Sequence, residues 1–298
     1  MTDTDTNYDA LAARLEAHHD FRVLRRLVPT TRFVDASPEH QLRQALVVDV
    51  ETTGVDRATD AIIELGIVRF SYDAISGQPV EVLAAESLLE DPGRPIPDEI
   101  VQLTGITDDM VRGQRIDDAR VHTLLDGVGI VLAHNAGFDR PFIERRFPAF
   151  RDVHWGCTQR DIDWRALGVG SHSLEFLVYK HLGAFFDGHR AVDDCRATLA
   201  LLARRTADGV LPMAKLLEAC RTPRVRVCAV GSAFDTKDML RGRGYRWSGN
   251  DGLPPKTWVR EIAEAQLEDE QTWLRTTVYV NGRGEAAIEK VDLRRRWA

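Results

Sequence analysis

The sequence predicts an α/β protein, a mixed sheet flanked by helices, with an N-terminal helical lead and a small C-terminal α+β module. Three observations carry this expectation. Apolar runs come first, at residues 45–51, 61–70 and 80–89. Shorter apolar runs then alternate with segments of helical period, which suits helices packed on a sheet. Beyond Arg221-Thr-Pro-Arg224 the pattern restarts. The boundaries that follow are 1–43 for the lead, 44–222 for the main domain and 223–298 for the module.

Residues 8–28 read as helix, because Leu11, Leu15, Phe21, Leu24 and Leu27 recur near every 3.6 positions and Pro29 stops them. The helix is expected to pack on the main domain. Residues 45–51 form a β-branched run of the kind found in buried strands, with acids at its far end. The next two runs are joined by Tyr72-Asp-Ala-Ile-Ser-Gly-Gln-Pro79, a hairpin-type connector that makes them antiparallel neighbours. Short helices are expected at 97–103, 107–112 and 116–126. A strand at 130–133, a helix at 138–147 and a strand at 153–158 follow, then helices at 159–167, 173–182 and 193–207. In the module, strands are expected at 225–230 and 256–261, helices at 235–243 and 264–276, and a closing hairpin of 277–280 with 286–291 around Asn281-Gly282.

Composition narrows the function. The net charge is −7, but residues 221–298 carry a balance of +4, which leaves −11 for residues 1–220. An acidic body with a basic attachment can still act on nucleic acid if carboxylates are held ready for metal cations. No apolar run reaches the ~18–20 residues of a membrane span. The first seven residues do not resemble a secretory signal. The four cysteines form neither a C-x-x-C pair nor a zinc-ligand spacing. A reduced, cytoplasmic protein without a membrane partner is the expectation.

Three segments carry the chemistry. The first strand ends in Asp49-Val50-Glu51, and alternation puts both carboxylates on one face about 7 Å apart. Two like charges at the end of a buried strand are costly unless a cation neutralises them. Alone, such a pair more often caps a strand in solvent. The second segment is His134-Asn-Ala-Gly-Phe-Asp139, where Asp139 opens a helix just beyond a strand end. Here His134 is expected only to hydrogen-bond its loop. The third is His189-Arg-Ala-Val-Asp-Asp194, where a loop enters a long helix.

In this order, Asp49-Val-Glu-Thr-Thr-Gly54 with Asp60-Ala-Ile-Ile-Glu-Leu-Gly66, then the second and third segments, resemble the three motifs of the DEDD exonuclease family in its histidine variant. That family includes the proofreading epsilon subunit of bacterial DNA polymerase III. The stretch Ile96-Pro-Asp-Glu-Ile-Val-Gln-Leu-Thr-Gly-Ile106 resembles the segment such enzymes carry between the first two motifs. The resemblance covers roughly residues 44–207 and implies a ribonuclease H-like fold. It implies 3′→5′ hydrolysis of phosphodiesters to nucleoside 5′-monophosphates, with two divalent cations, Mg²⁺ or Mn²⁺, as all-oxygen ligands suit. Asp49, Glu51, Asp139 and Asp194 would be the metal ligands and His189 the general base. The five-residue offset from His189 selects Asp194, although a one-residue slip would put Asp193 in its place. Thr52 and Thr53 would lie by the terminal sugar and Phe138 near a base.

The expected partner is a nucleic-acid 3′ end, single-stranded, with DNA slightly favoured. RNA trimming is the runner-up. A binding subunit of a polymerase or repair complex, with little turnover, is the rival class. In the module, Lys237-Asp-Met-Leu-Arg-Gly-Arg-Gly-Tyr-Arg-Trp247 interleaves cations with aromatics. Arg241, Arg243 and Arg246 could meet phosphates, while Tyr245, Trp247 and Trp258 could stack bases or build the module's core. Cys195 is expected to be helix packing. His18, His19, His172 and His181 are expected to lack metal-ligand companions.

Overall fold

The computed structural model describes residues 7–250, 256–280, 282 and 284–297. The chain divides into two compact units, Met1–Leu217 with Trp297–Ala298, and Glu218–Arg296. In the first unit α1 (Tyr8–Glu16) leads to β1 (Arg25–Arg26), then to the long strands β2 (Leu42–Thr52), β3 (Ile62–Asp73) and β4 (Pro79–Leu89). Three short helices follow, α2 (Asp98–Thr104), α3 (Asp108–Val111) and α4 (Asp118–Leu125). After them come β5 (Val128–Ala133), α5 (Ala136–Arg146), β6 (His154–Cys157) and α6 (Thr158–Asp161). Next are α7 (Leu174–Leu177), continued by a wide turn to Leu182, and β7 (Ala184–Phe185). The unit ends in α8 (Ala191–Ala203) and the start of α9 (Pro212–Arg221), a helix the sequence pattern did not announce.

The main sheet has the order β4-β3-β2-β5-β6. Strands β2, β3 and β4 are antiparallel, whereas β5 runs parallel to β2 and β6 parallel to β5. This is the mixed sheet the sequence pattern predicts. Alternation along β2 sends Leu46, Val48 and Val50 into a core shared with Val121 and Leu124 of α4 and Phe142 and Ile143 of α5. The opposite face of β2 and β3 receives α8. The two acids of β2 therefore share the face on which α8 lies.

Several expectations are corrected. The N-terminal helix ends at Glu16, not at residue 28, and buries none of its residues. Leu11 and Phe21 stay exposed, so the apolar stripe has no surface to hold it and it is not a packing element. The chain is tied down afterwards, where β1 pairs with β7. The helix expected at 159–167 stops after one turn, and Asp161 Oδ2 accepts the Cys157 N–H at 2.8 Å across it.

The second unit continues from α9 into β8 (Arg224–Val230), α10 (Lys237–Gly242), β9 (Arg246–Trp247), β10 (Trp258–Ala263), α11 (Leu267–Trp273) and β11 (Glu285–Lys290). Its sheet has the order β11-β8-β10-β9, all antiparallel. Val225, Val227, Leu240, Tyr245, Ile262 and Leu274 form the core. Beneath it, the buried Glu270 accepts from the Tyr245 hydroxyl at 3.0 Å, Arg260 at 2.7 Å and Arg243 at 3.1 Å. The strand expected at 277–280 is absent. Residues Leu274–Val278 prolong the helix of α11, and β11 pairs with β8 instead. Asn281, the expected hairpin tip, lies outside the described residues. Among the described residues no helix is long and apolar enough to cross a membrane.

Candidate active site

The site begins where β2 outruns its parallel neighbour. The last β2–β5 partners are Val47 and Leu132, and β5 ends at Ala133. The strand β2 carries on through Asp49 and Glu51 with β3 on one side. On the vacated side, Asp139 Oδ1 accepts the Val50 N–H at 3.1 Å, replacing the missing ladder partner. Asp139 is the fourth residue of α5, and Asp194 is the fourth residue of α8. Both acids thus occupy the first turn of a helix, where the macrodipole favours negative charge.

Close packing brings α8 to the acids. Gly66 pairs with Asp49 across β2 and β3. A Cβ on Gly66 would lie 2.3 Å from the Ala191 carbonyl carbon and 2.5 Å from the Val192 nitrogen. The first turn of α8 therefore rests directly on the Gly66 backbone, beside Asp49. Glu64 fixes it there. This fully buried carboxylate accepts the Ala191 N–H at 3.1 Å, both arms of Arg190 at 3.1 and 3.0 Å, and the Ser87 hydroxyl. Glu64 lay within the first motif but received no role from sequence reasoning. An acid inside a strand buried on both faces was the signal that could have found it.

Asp49, Glu51 and Asp194 each offer an oxygen, and these atoms lie within 4.8 Å of one another. Asp139 stands outside that trio but within its field. Burial pushes the Asp49 carboxyl well above the usual carboxylate range, and Asp139, Asp194, Glu51 and Glu64 push it further. Glu51 is raised to about 8, by burial first and then by Asp194, with Arg190 opposing. Asp139 is raised to about 7 by burial, against the pull of the Val50 N–H. Asp194 also rises to about 7 by burial, while the His189 and Arg190 backbone amides draw it down. Carboxylates this costly to ionise together, offering hard oxygen donors only, fit divalent cations.

The structure separates Asp194 from Asp193. Asp194 is buried in the cluster, whereas Asp193 pairs with Arg196 at 3.0 Å on the outer side of α8. His189 lies on the exposed loop before α8 with a left-handed φ of 65°. His134 is bonded as a structural residue, although to Thr158 and His172 rather than to its own loop. It is buried, with Nδ1 2.8 Å from the Thr158 hydroxyl and Nε2 2.8 Å from the His172 carbonyl. A carbonyl only accepts, so Nε2 carries the proton, and burial lowers the pKa of the ring.

The remaining expectations divide. Thr52 and Thr53 are buried, and their hydroxyls are spent on the turn: Thr52 donates to the Gly54 carbonyl at 2.6 Å and Thr53 to Asp60 at 2.9 Å. Phe138 is half-buried, 5.2 Å from the Phe142 ring and against the main core. Glu175, unmarked by the sequence reading, lies close enough to raise Asp194. Cys195 is fully buried in α8. His18 and His19 do have a companion, because with the adjacent Asp20 they offer ligand atoms within 4.8 Å, all on an exposed turn. Within the second unit, Arg243 is committed to Glu270 rather than left for a phosphate. Arg241 is exposed and pairs with Asp238 at 3.1 Å, and Arg246 is exposed on β9.

Residues 46–202 match the family model described as Exonuclease, of the RNase T type, over slightly more than half of the chain. The chain belongs to this exonuclease family. Its similarity extends to the DNA polymerase III PolC-type protein of Clostridium perfringens, 33% identical over 167 residues, covering 53% of this chain and 11% of that protein. The corresponding protein of Listeria monocytogenes is 39% identical over 164 residues, covering 52% and 11%. The chain thus spans about a tenth of the length of these relatives. Among solved structures, the zinc-bound E. coli ExoI–ssDNA complex aligns with a TM-score of 0.51 at 18% identity, covering 81% of this chain and 72% of that one. This last likeness concerns the fold alone. The exonuclease match contains the whole acid cluster, from β2 through the start of α8.

Proposed function

We propose that the protein is a metal-dependent 3′→5′ exonuclease of the histidine-variant DEDD type, acting on single-stranded DNA ends and releasing nucleoside 5′-monophosphates. The observation that carries this reading is the meeting of Asp49, Glu51 and Asp194 within 4.8 Å, with Asp139 buried beside them. We assign residues 44–222 to the hydrolytic domain and 223–298 to an accessory module.

Asp49, Glu51 and Asp194 would hold the cations, with Asp139 completing the ligand set on the α5 side. Bound Mg²⁺ or Mn²⁺ would supply Lewis acidity for attack and departure at phosphorus. The chain's own work is positional. Glu64 and Gly66 seat the first turn of α8 against β2, so Asp194 meets Asp49 without a search through alternatives. The His189 imidazole is the general base, taking a proton from the attacking water, and its exposed loop leaves it open to substrate. Thr52 and Thr53 act through the turn they brace, and Phe138 offers a half-buried ring beside the second motif. DNA is favoured because the matching relatives carry DNA polymerase names.

The test is digestion of end-labelled single- and double-stranded DNA and RNA oligomers with Mg²⁺ or Mn²⁺. Nucleotides should leave one at a time from DNA 3′ ends. Asp49→Asn and His189→Ala should each lower the rate by at least about a hundredfold, the order of loss expected when transition-state charge stabilisation is removed. Full activity in either variant would end the assignment. Faster trimming of RNA would move the substrate to RNA.

A further inference from the structure

The second unit carries a feature that neither its core nor the acid cluster uses. Along α10, Lys237 and Arg241 are four residues apart and so share one face of the helix. The Lys237 ammonium lies 4.2 Å from the Phe234 ring centroid, and the Arg241 guanidinium lies 5.7 Å from that of Trp258. Trp258 is directly paired with Trp247 across β10 and β9, their rings 5.8 Å apart and edge to face. The order in space is ring, cation, cation, ring, ring.

Core packing accounts for only part of this strip. Trp258 is half-buried against the module's core, and Tyr245 lies wholly within it. Phe234, however, is 81% exposed and Trp247 is 41% exposed, on an edge strand. Large aromatic faces left in water gain nothing from folding, so their placement suits a ligand. Phe234 and Trp258 each already accept a cation on one face, and Trp247 meets Trp258 edge-on, so these rings suit a flat or charged group. Residues 221–298 carry the +4 balance in a chain whose remainder is −11, so an anionic polymer is drawn to this unit. Among the described residues, Asp238 pairs with Arg241 in an exposed ion pair that a phosphate could replace at little cost.

We propose that Phe234, Lys237, Arg241, Trp247 and Trp258 form an accessory docking strip for single-stranded nucleic acid. Bases stack on Phe234 and Trp247, and the two cations meet the intervening phosphates. The strip deepens the nuclease reading and rests on it for the choice of polymer. It differs from the sequence expectation in its residues, since Arg243 is withdrawn to Glu270 and the exposed rings take its place.

The test measures binding without hydrolysis. Full-length protein in a chelator is titrated with fluorescein-labelled dT20, by anisotropy, across a NaCl series. The Phe234→Ala/Trp247→Ala variant should lose about tenfold in affinity for each stacked base abandoned. The Lys237→Gln/Arg241→Gln variant should lower the slope of log Kd against log[NaCl] by about 1.4, at roughly 0.7 per phosphate on a single strand. Trp247→Phe, which keeps a ring, should recover most of the loss expected of Trp247→Ala. Unchanged affinity and slope in both double variants would overturn the strip. So would a dimer that dissociates on Trp247→Ala while dT20 affinity stays constant, because the face would then belong to a second copy. Chelation removes turnover from the measurement. A failed strip with an active nuclease, or a working strip on an inactive protein, therefore separates the two readings.

Discussion

Replacing Glu64 with alanine tests how the site is assembled. The substitution strips acceptors from the Ala191 N–H, from both arms of Arg190 and from the Ser87 hydroxyl in one step. Arg190 is 39% exposed at its side chain and can turn to water, which spares most of the 3–5 kcal/mol cost of breaking a fully buried ion pair. The Ala191 amide is fully buried and has no such escape, leaving an unsatisfied donor at about 1–3 kcal/mol. With the guanidinium's loss added, the expected destabilisation is about 3 kcal/mol. Glu64→Gln keeps an acceptor oxygen for the amide but sets an NH2 against the second Arg190 donor and loses the charge assistance, so an intermediate loss of about 1–2 kcal/mol is expected. Urea unfolding of the full chain, followed at a probe in the first unit, measures the order wild type, Glu64→Gln, Glu64→Ala. Calorimetric titration with Mn²⁺ should show affinity falling in the same order, since Asp194 rides on the helix that Glu64 anchors. An alanine variant within about 0.5 kcal/mol of wild type, with Mn²⁺ affinity intact, would refute the anchoring argument.

Two further outcomes follow from the same geometry. Gly66→Ala places a Cβ inside the Ala191 backbone, 2.3 Å from its carbonyl carbon, so α8 must shift. A loss of about 1–3 kcal/mol is expected by urea unfolding, as for an overpacked core, with weaker Mn²⁺ binding; wild-type values for both would contradict the contact. The third concerns pH. Glu51 at about 8, and Asp139 and Asp194 at about 7, keep protons in the fold that the unfolded chain has already lost. Their contribution to stability is therefore full below about pH 4 and is lost as pH rises through about 7–8. In chelator, the melting temperature should fall by several degrees between pH 5 and pH 8.5, and millimolar Mg²⁺ should flatten that fall. Equal slopes with and without Mg²⁺ would count against a cation site at the cluster.

The sheet was legible because its strands are long and β-branched, and the acids at the end of β2 stand out against them. The choice of Asp194 over Asp193 rests on an offset from His189; in the structure Asp194 lies beside the β2 acids, whereas Asp193 pairs with Arg196. Glu64 was hidden because it sits among Ile62, Ile63, Leu65 and Ile67, where an apolar run conceals a single acid. Periodicity also misled. The stripe from Leu11 to Leu27 has helical spacing, but the helix stops at Glu16 because none of it is buried. Residues 277–280 suggested a strand, yet Thr277 and Val278 finish a helix whose Leu274 and Val278 are held by the module's core. Spacing reports which side chains could share a face, not whether a partner surface exists to receive them.

Asp49 and Asp194 lie 145 residues apart in sequence and are brought together where Gly66 seats Ala191 and Glu64 anchors it. A chain emerging from the ribosome carries the first acids long before the last, and until α8 is made and seated the trio is incomplete. The proposed hydrolytic centre would thus be armed only by finished folding, a safeguard for the nucleic acids around a half-made copy.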